Sequence, residues 1–125
     1  MKNLRISFDF DCTLGETIIQ RKAMLMLKST LPSDIFIITA RCKDQKNPDV
    51  FSVAKRLGIP DENIHFTEGS WKWRKIKELE IDIHFDDVPE ECELISLNTN
   101  CTPLLIWDEW CKESIKHDSF GKGIY

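Results

Sequence analysis

The sequence predicts an α/β domain: a parallel sheet with helices on both faces. Three observations carry this expectation. Short apolar runs alternate with amphipathic helical stretches along the chain, the pattern of strands joined by helical crossovers. The run Ile35-Phe36-Ile37-Ile38 is apolar at every position, as strands buried on both faces are. Three of the runs end in polar residues, at Asp9/Asp11, Thr39 and Asp86/Asp87, so one edge of the sheet collects them. In open parallel sheets ligands bind beyond the carboxyl ends of the strands.

The first strand runs into Ile6-Ser7-Phe8-Asp9-Phe10-Asp11-Cys12-Thr13-Leu14, two carboxylates one residue apart followed by a hydroxyl. Alternation along a continuing strand would put Asp9 and Asp11 on one side. Where the chain turns away, both can converge just beyond the sheet, and acids that close call for a cation or a shared proton. Glu16 to about Leu31 carries Ile19, Ala23, Met26, Leu27 and Thr30 at helical spacing, and Pro32-Ser33-Asp34 breaks that helix. The strand Ile35–Ile38 then ends at Thr39-Ala40-Arg41. Asn47 as N-cap, Pro48 at the first helical position and Gly58 past the end bracket the next helix, with Val50, Val53, Ala54 and Leu57 on its apolar face.

Pro60-Asp61-Glu62 turns into a third strand, Asn63–Phe66, and Gly69-Ser70 precedes a helix from Trp71 to about Glu80 with Trp73, Ile76 and Leu79 on one face. A fourth strand, Ile81–Phe85, stops at Asp86-Asp87. A short helix over about Glu90–Leu97 leads to a fifth strand, Pro103–Trp107, and a last helix spans Asp108 to about Lys116. Residues 1–117 are expected to form one core domain and 118–125 a loose tail.

Composition narrows the classes. A chain of 125 residues can bury one sizeable core but not two. Its net charge of −4 argues against a protein held on nucleic acid or lipid by bulk charge. No apolar run approaches the ~20 residues of a membrane span, and Lys2-Asn3-Leu4-Arg5 enters the first strand without a signal-peptide pattern. Five cysteines with no Cys-x-x-Cys suggest neither a disulfide framework nor a zinc ribbon. Reduced thiols and a cytoplasmic location are the expectation.

Asp-x-Asp-x-Thr after a hydrophobic strand, a strand-terminal Thr39, a lysine near a helix start and Asp86-Asp87 after a hydrophobic strand appear in that order. This series resembles the four motifs of the haloacid dehalogenase (HAD)-like phosphohydrolases. The resemblance spans nearly the whole chain. It implies a Rossmann-like three-layer fold with strand order 5-4-1-2-3, which sets the first and fourth strands side by side.

It also implies hydrolysis of a phosphate monoester. Asp9 would be the nucleophile forming an aspartyl-phosphate, and Asp11 the acid and base that protonates the leaving oxygen and then activates water. Thr39 and Lys72 would hold the phosphoryl oxygens. Lys75, one turn deeper, is the rival for the motif lysine. Mg²⁺ suits an all-oxygen ligand set, and the implied ligands are the Asp9 carboxylate, the Asp11 backbone carbonyl, Asp86 and, through water, Asp87. Cys12 stands where relatives commonly have Gly, in a turn that needs a permissive backbone.

Blander readings stand beside each residue. A strand-end Thr is usually only that, lysines 72, 75 and 77 with Arg74 suit a solvated helix face, and Asp86-Asp87-Val88-Pro89 can cap the next helix. His65 and His84 fall inside predicted strands and read as packed or edge residues rather than ligands. Trp71, off the core stripe, can stack on a substrate or pack on a neighbouring loop.

Neither interval between the motifs is long enough for a cap domain, so the site should be open and suited to a large substrate such as a nucleotide or polynucleotide end. Residues 39–77 hold nine Lys/Arg against five Asp/Glu, and Arg41, Lys43 and Lys46 beside Thr39 would attract a polyanion. Two other readings stay open: a non-catalytic phosphate-binding or regulatory module, and a small-metabolite phosphatase closed by a second subunit of a homo-oligomer.

Overall fold

The computed structural model describes residues 2–14, 22, 24–26, 29 and 32–106. Five strands, β1 (Leu4–Phe8), β2 (Ser33–Thr39), β3 (Ile64–Phe66), β4 (Ile83–Asp86) and β5 (Thr102–Leu105), form one parallel sheet of order β3-β2-β1-β4-β5. That is the expected order read from the other edge. Three helices are described in full: α1 (Pro48–Leu57), α2 (Trp73–Glu78) and α3 (Pro89–Asn98). Most of the helix expected over 16–31, the helix expected over 108–116, Trp107 and the tail lie outside the described residues.

The alternation of β2 explains the layers. Ile35 and Ile37 pack in one cluster with Ile6, Phe8 and the α1 residues Val50, Val53, Ala54 and Leu57. Phe36 and Ile38 point the other way, into a cluster with Ile76 of α2, Ile95 of α3 and Ile81. A parallel strand with a helix layer on each face needs apolar side chains at both parities. Each fully buried Ile or Phe contributes roughly 1.5–3 kcal/mol.

Several boundaries moved for local reasons. β2 begins at Ser33 because its first residues pair with Leu4 and Arg5 of β1. Asn63 belongs to a 3-10 turn over Asp61–Asn63, and its side-chain amide donates to the Ile35 carbonyl at 3.0 Å. α2 is shorter than expected, since Glu80 takes a left-handed φ of 53° and the Ile81 N–H closes back on the Ile76 carbonyl at 3.1 Å. β4 therefore starts two residues late. Asn47 stands at the N-cap of α1 but makes no capping bond; its Oδ1 accepts from Arg41 Nη1 at 3.4 Å and its amide donates to the Cys42 and Gln45 carbonyls. Gly58 ends that helix at φ 74°, as expected. Met26 was expected on a buried face but is 67 % exposed, while Met24 is fully buried in the first cluster. The buried stripe there runs through Met24.

Candidate functional site

The polar strand ends meet at the carboxyl edge of the sheet. β1 and β4 are neighbours, and the Asp9 N–H still donates to the Phe85 carbonyl at 2.9 Å, so Asp9 sits in line with the end of β4. Asp9, Asp86 and Asp87 are buried, and each offers a carboxylate oxygen within 4.8 Å of the others. Lys72, at the entry to α2, reaches into this group. Its Nζ donates to Asp9 Oδ1 at 2.8 Å and to Asp86 Oδ2 at 2.7 Å, and it is fully buried. Lys75 instead pairs with Glu78 at the surface, at 2.8 Å. The lysine at the acidic cluster is Lys72.

Among the described residues, the Lys72 ammonium is shared by Asp9 and Asp86, with Glu91 Oε2 at 3.9 Å. Burial and the Asp86 charge push the Asp9 carboxyl well above the usual range, against the pull of Lys72. Burial also acts on Asp86, but Lys72 and the His84 ring outweigh it and hold that carboxyl low. Lys72 behaves likewise: burial would lower it, and Asp9, Asp86 and Glu91 raise it overall. Asp9 Oδ2 is buried with no hydrogen-bond partner among the described residues. An unpartnered carboxylate oxygen in an acidic, all-oxygen cluster is what a hard divalent cation would satisfy, so these residues fit Mg²⁺.

Asp11 lies outside this group of three. Residues Phe10–Leu14 form a tight turn in which Cys12 takes a left-handed φ of 62°. The partly buried Asp11 carboxylate accepts a two-pronged bond from Arg41, Nε at 3.0 Å and Nη2 at 2.7 Å. Arg41 also forks onto Asp49 at 2.8 and 2.9 Å and lies over the Phe10 ring. Hydrogen bonding to Asp11 raises the Arg41 pKa in spite of burial, and Arg41 in turn lowers that of Asp49. Each motif acid thus has its own cation, Lys72 for Asp9 and Arg41 for Asp11. Asp11 is not one of the three acids whose oxygens lie within 4.8 Å of one another, and Arg41 holds its carboxylate. Arg41, expected to face a polyanion, is engaged by two carboxylates. Lys43 and Lys46 are exposed.

Cys12 is disulfide-bonded, whereas Cys42, Cys92 and Cys101 are free, so the expectation of reduced thiols does not hold at this turn. Thr39 is fully buried and its Oγ1 accepts from the Arg41 N–H at 3.3 Å, which leaves the hydroxyl proton able to donate. Trp71, next to Lys72 in the chain, is half exposed.

Glu91 and Ser7 were not singled out by sequence, and His84 was read only as a packed or edge residue. Glu91, in the first turn of α3, is buried and accepts from the Lys72 N–H at 3.0 Å, tying the start of α2 to α3. His84 donates through Nε2 to Asp86 Oδ2 at 2.8 Å, and its Nδ1 lies 2.6 Å from Ser7 Oγ. His84 and Asp86 are two apart on one strand, so their shared face was readable; the burial of Glu91 was not. A groove of about 620 Å³ lies elsewhere, near the amino ends of β4 and β5 beside Asp82, Leu97 and Asn98, and holds none of these groups. Among the described residues no helix is long and apolar enough to cross a membrane. No protein-family model and no curated protein matches this chain.

Proposed function

We propose that this chain is a Mg²⁺-dependent phosphomonoesterase of the HAD-like kind. The observation that carries the reading is the buried group at the sheet's carboxyl edge, where Lys72 bridges Asp9 and Asp86 while Asp9 Oδ2 stays unpartnered. Mg²⁺ held by Asp9, Asp86 and Asp87 would supply the counter-charge that keeps Asp9 ionised and offsets the phosphoryl oxygens. The Asp9 carboxylate attacks phosphorus and the ester P–O bond breaks, giving an aspartyl-phosphate and an alkoxide. Lys72 and the Thr39 hydroxyl donate to the phosphoryl oxygens. Asp11 gives the alkoxide its proton, then takes one from the water that splits the acyl phosphate, restoring Asp9. To act as an acid, Asp11 must turn out of the Arg41 fork and carry a proton.

The Arg41 fork favours a second reading, a phosphate-binding module on the same fold, since it engages both carboxylate oxygens of Asp11. A screen of phosphorylated small molecules, oligonucleotides and peptides with Mg²⁺, run beside Asp9→Asn, separates the two. Turnover that disappears in Asp9→Asn supports the phosphatase; binding without turnover supports the module.

On substrate, the expected lack of a cap and the exposed Lys43 and Lys46 would suit a phosphate at the end of a large molecule, including a nucleotide or polynucleotide end. Attraction by those exposed lysines should weaken with salt, because screening acts over about 10 Å at 0.1 M. A clear preference for mononucleotide, indifferent to salt, would favour instead a small-metabolite enzyme closed by a partner subunit.

A further inference from the structure

We infer that Ser7 and His84 form a buried positioning relay that fixes the carboxylate of Asp86. Its consequence for Mg²⁺ rests on the reading of Asp9, Asp86 and Asp87 as a cation site. Ser7 and His84 are register partners on β1 and β4, and His84 and Asp86, two apart on β4, share one face of the sheet. All three are fully buried. Ser7 Oγ lies 2.6 Å from His84 Nδ1, and His84 Nε2 lies 2.8 Å from Asp86 Oδ2.

The direction of the relay follows from donor chemistry. A carboxylate only accepts, so Nε2 carries the ring proton and donates it to Asp86. Nδ1 is then the acceptor, and the Ser7 hydroxyl donates to it. Ser7 thereby selects the tautomer that can hold Asp86. Oδ2 receives Lys72 and His84, and Oδ1 receives the Val88 N–H at 3.1 Å, so the carboxylate is held from three directions. An uncoupled Ser–His pair in a sheet interior would cost free energy that an apolar pair would not. Here the pair ends on a carboxylate of the acidic cluster, where orientation decides whether an oxygen reaches a shared cation. Side chains that orient metal-binding carboxylates typically change affinity by about ten- to a hundredfold when removed.

The experiment has two arms on the full chain. Long-range ¹H–¹⁵N spectra of the histidine rings, with His84 assigned by its loss in His84→Gln, should place the proton on Nε2, and Ser7→Ala should shift the ring toward mixed tautomers. Calorimetric titration with Mg²⁺ should show affinity about ten- to a hundredfold weaker in His84→Phe, largely recovered in His84→Gln, whose amide can still donate to Asp86. Should His84→Phe fail to fold, Ser7→Ala against His84→Gln makes the same comparison. A proton on Nδ1 in the wild type overturns the relay. Unchanged Mg²⁺ affinity in the variants, with the wild type binding, overturns its positioning role. A wild type that binds no Mg²⁺ yet keeps the Nε2 proton overturns the cation reading and upholds the relay.

Discussion

Replacing Lys72 with Met keeps a long side chain in the core and removes the ammonium that bridges Asp9 and Asp86. Both partners are fully buried, at 2.8 and 2.7 Å from Nζ, so solvent cannot take over the lost interaction. Breaking a buried pair by deleting one partner costs about 3–5 kcal/mol. For a chain of this size that is a fall in Tm of roughly 10–20 °C at pH 7 in chelator. The sign of the pH effect also follows. Without Lys72 the folded state must hold a proton on the Asp9–Asp86 pair, while the unfolded carboxylates, with pKa near 4, are ionised above pH 5. The folded variant then binds one more proton than the unfolded chain, so its stability falls by about 1.4 kcal/mol per pH unit as pH rises. Acidifying from pH 7 to 5 should therefore recover up to about 2.7 kcal/mol in the variant, and Mg²⁺ should recover part of the loss at pH 7. Denaturant unfolding at the two pH values, with and without Mg²⁺, reads all of this. A variant within about 1 kcal/mol of wild type, with no added pH dependence, would refute the buried triad.

Asp9→Asn should abolish phosphatase turnover. It should also raise Tm in chelator, more at pH 8 than at pH 5, because the folded-state pKa of Asp9 is raised and its ionised form is the destabilising one; a drop at pH 8 would contradict that sign. Mg²⁺ should raise the wild-type Tm by an increment that grows from pH 5 to pH 8, since the cation competes with the proton on the acidic cluster; thermal scans check it. Asp11→Asn should slow alkyl phosphates far more than activated aryl phosphates. If Arg41 acts through Asp11, then Arg41→Gln should cause no further loss in the Asp11→Asn background, whereas losses that multiply in steady-state kinetics would put Arg41 on the substrate.

The sheet was legible because β2 carries apolar residues at both parities and because three strands end in polar residues on one edge. The lysine was legible through its setting at a helix entry: Lys72 enters the acidic cluster and Lys75 stays on the solvent face with Glu78. The Arg41 fork on Asp11 was not legible, because it joins residues 30 apart in the chain. Cys12 was recognised at a turn needing a permissive backbone, and it takes a left-handed φ of 62°. The Ser7–His84 contact depends on the pairing of β1 with β4, a non-local fact. Given the strand order, alternation alone would have placed His84 beside Asp86.

The central claim is that Asp9 is the covalent nucleophile. Acid-quenching the protein during turnover of p-nitrophenyl phosphate with Mg²⁺, then locating phosphoryl groups by mass spectrometry, tests it most directly. The expected result is a base-labile phosphoryl adduct on Asp9, present with Mg²⁺, missing in chelator and missing in Asp9→Asn. Turnover that proceeds at the wild-type rate in Asp9→Asn, or an adduct on another residue, would contradict it.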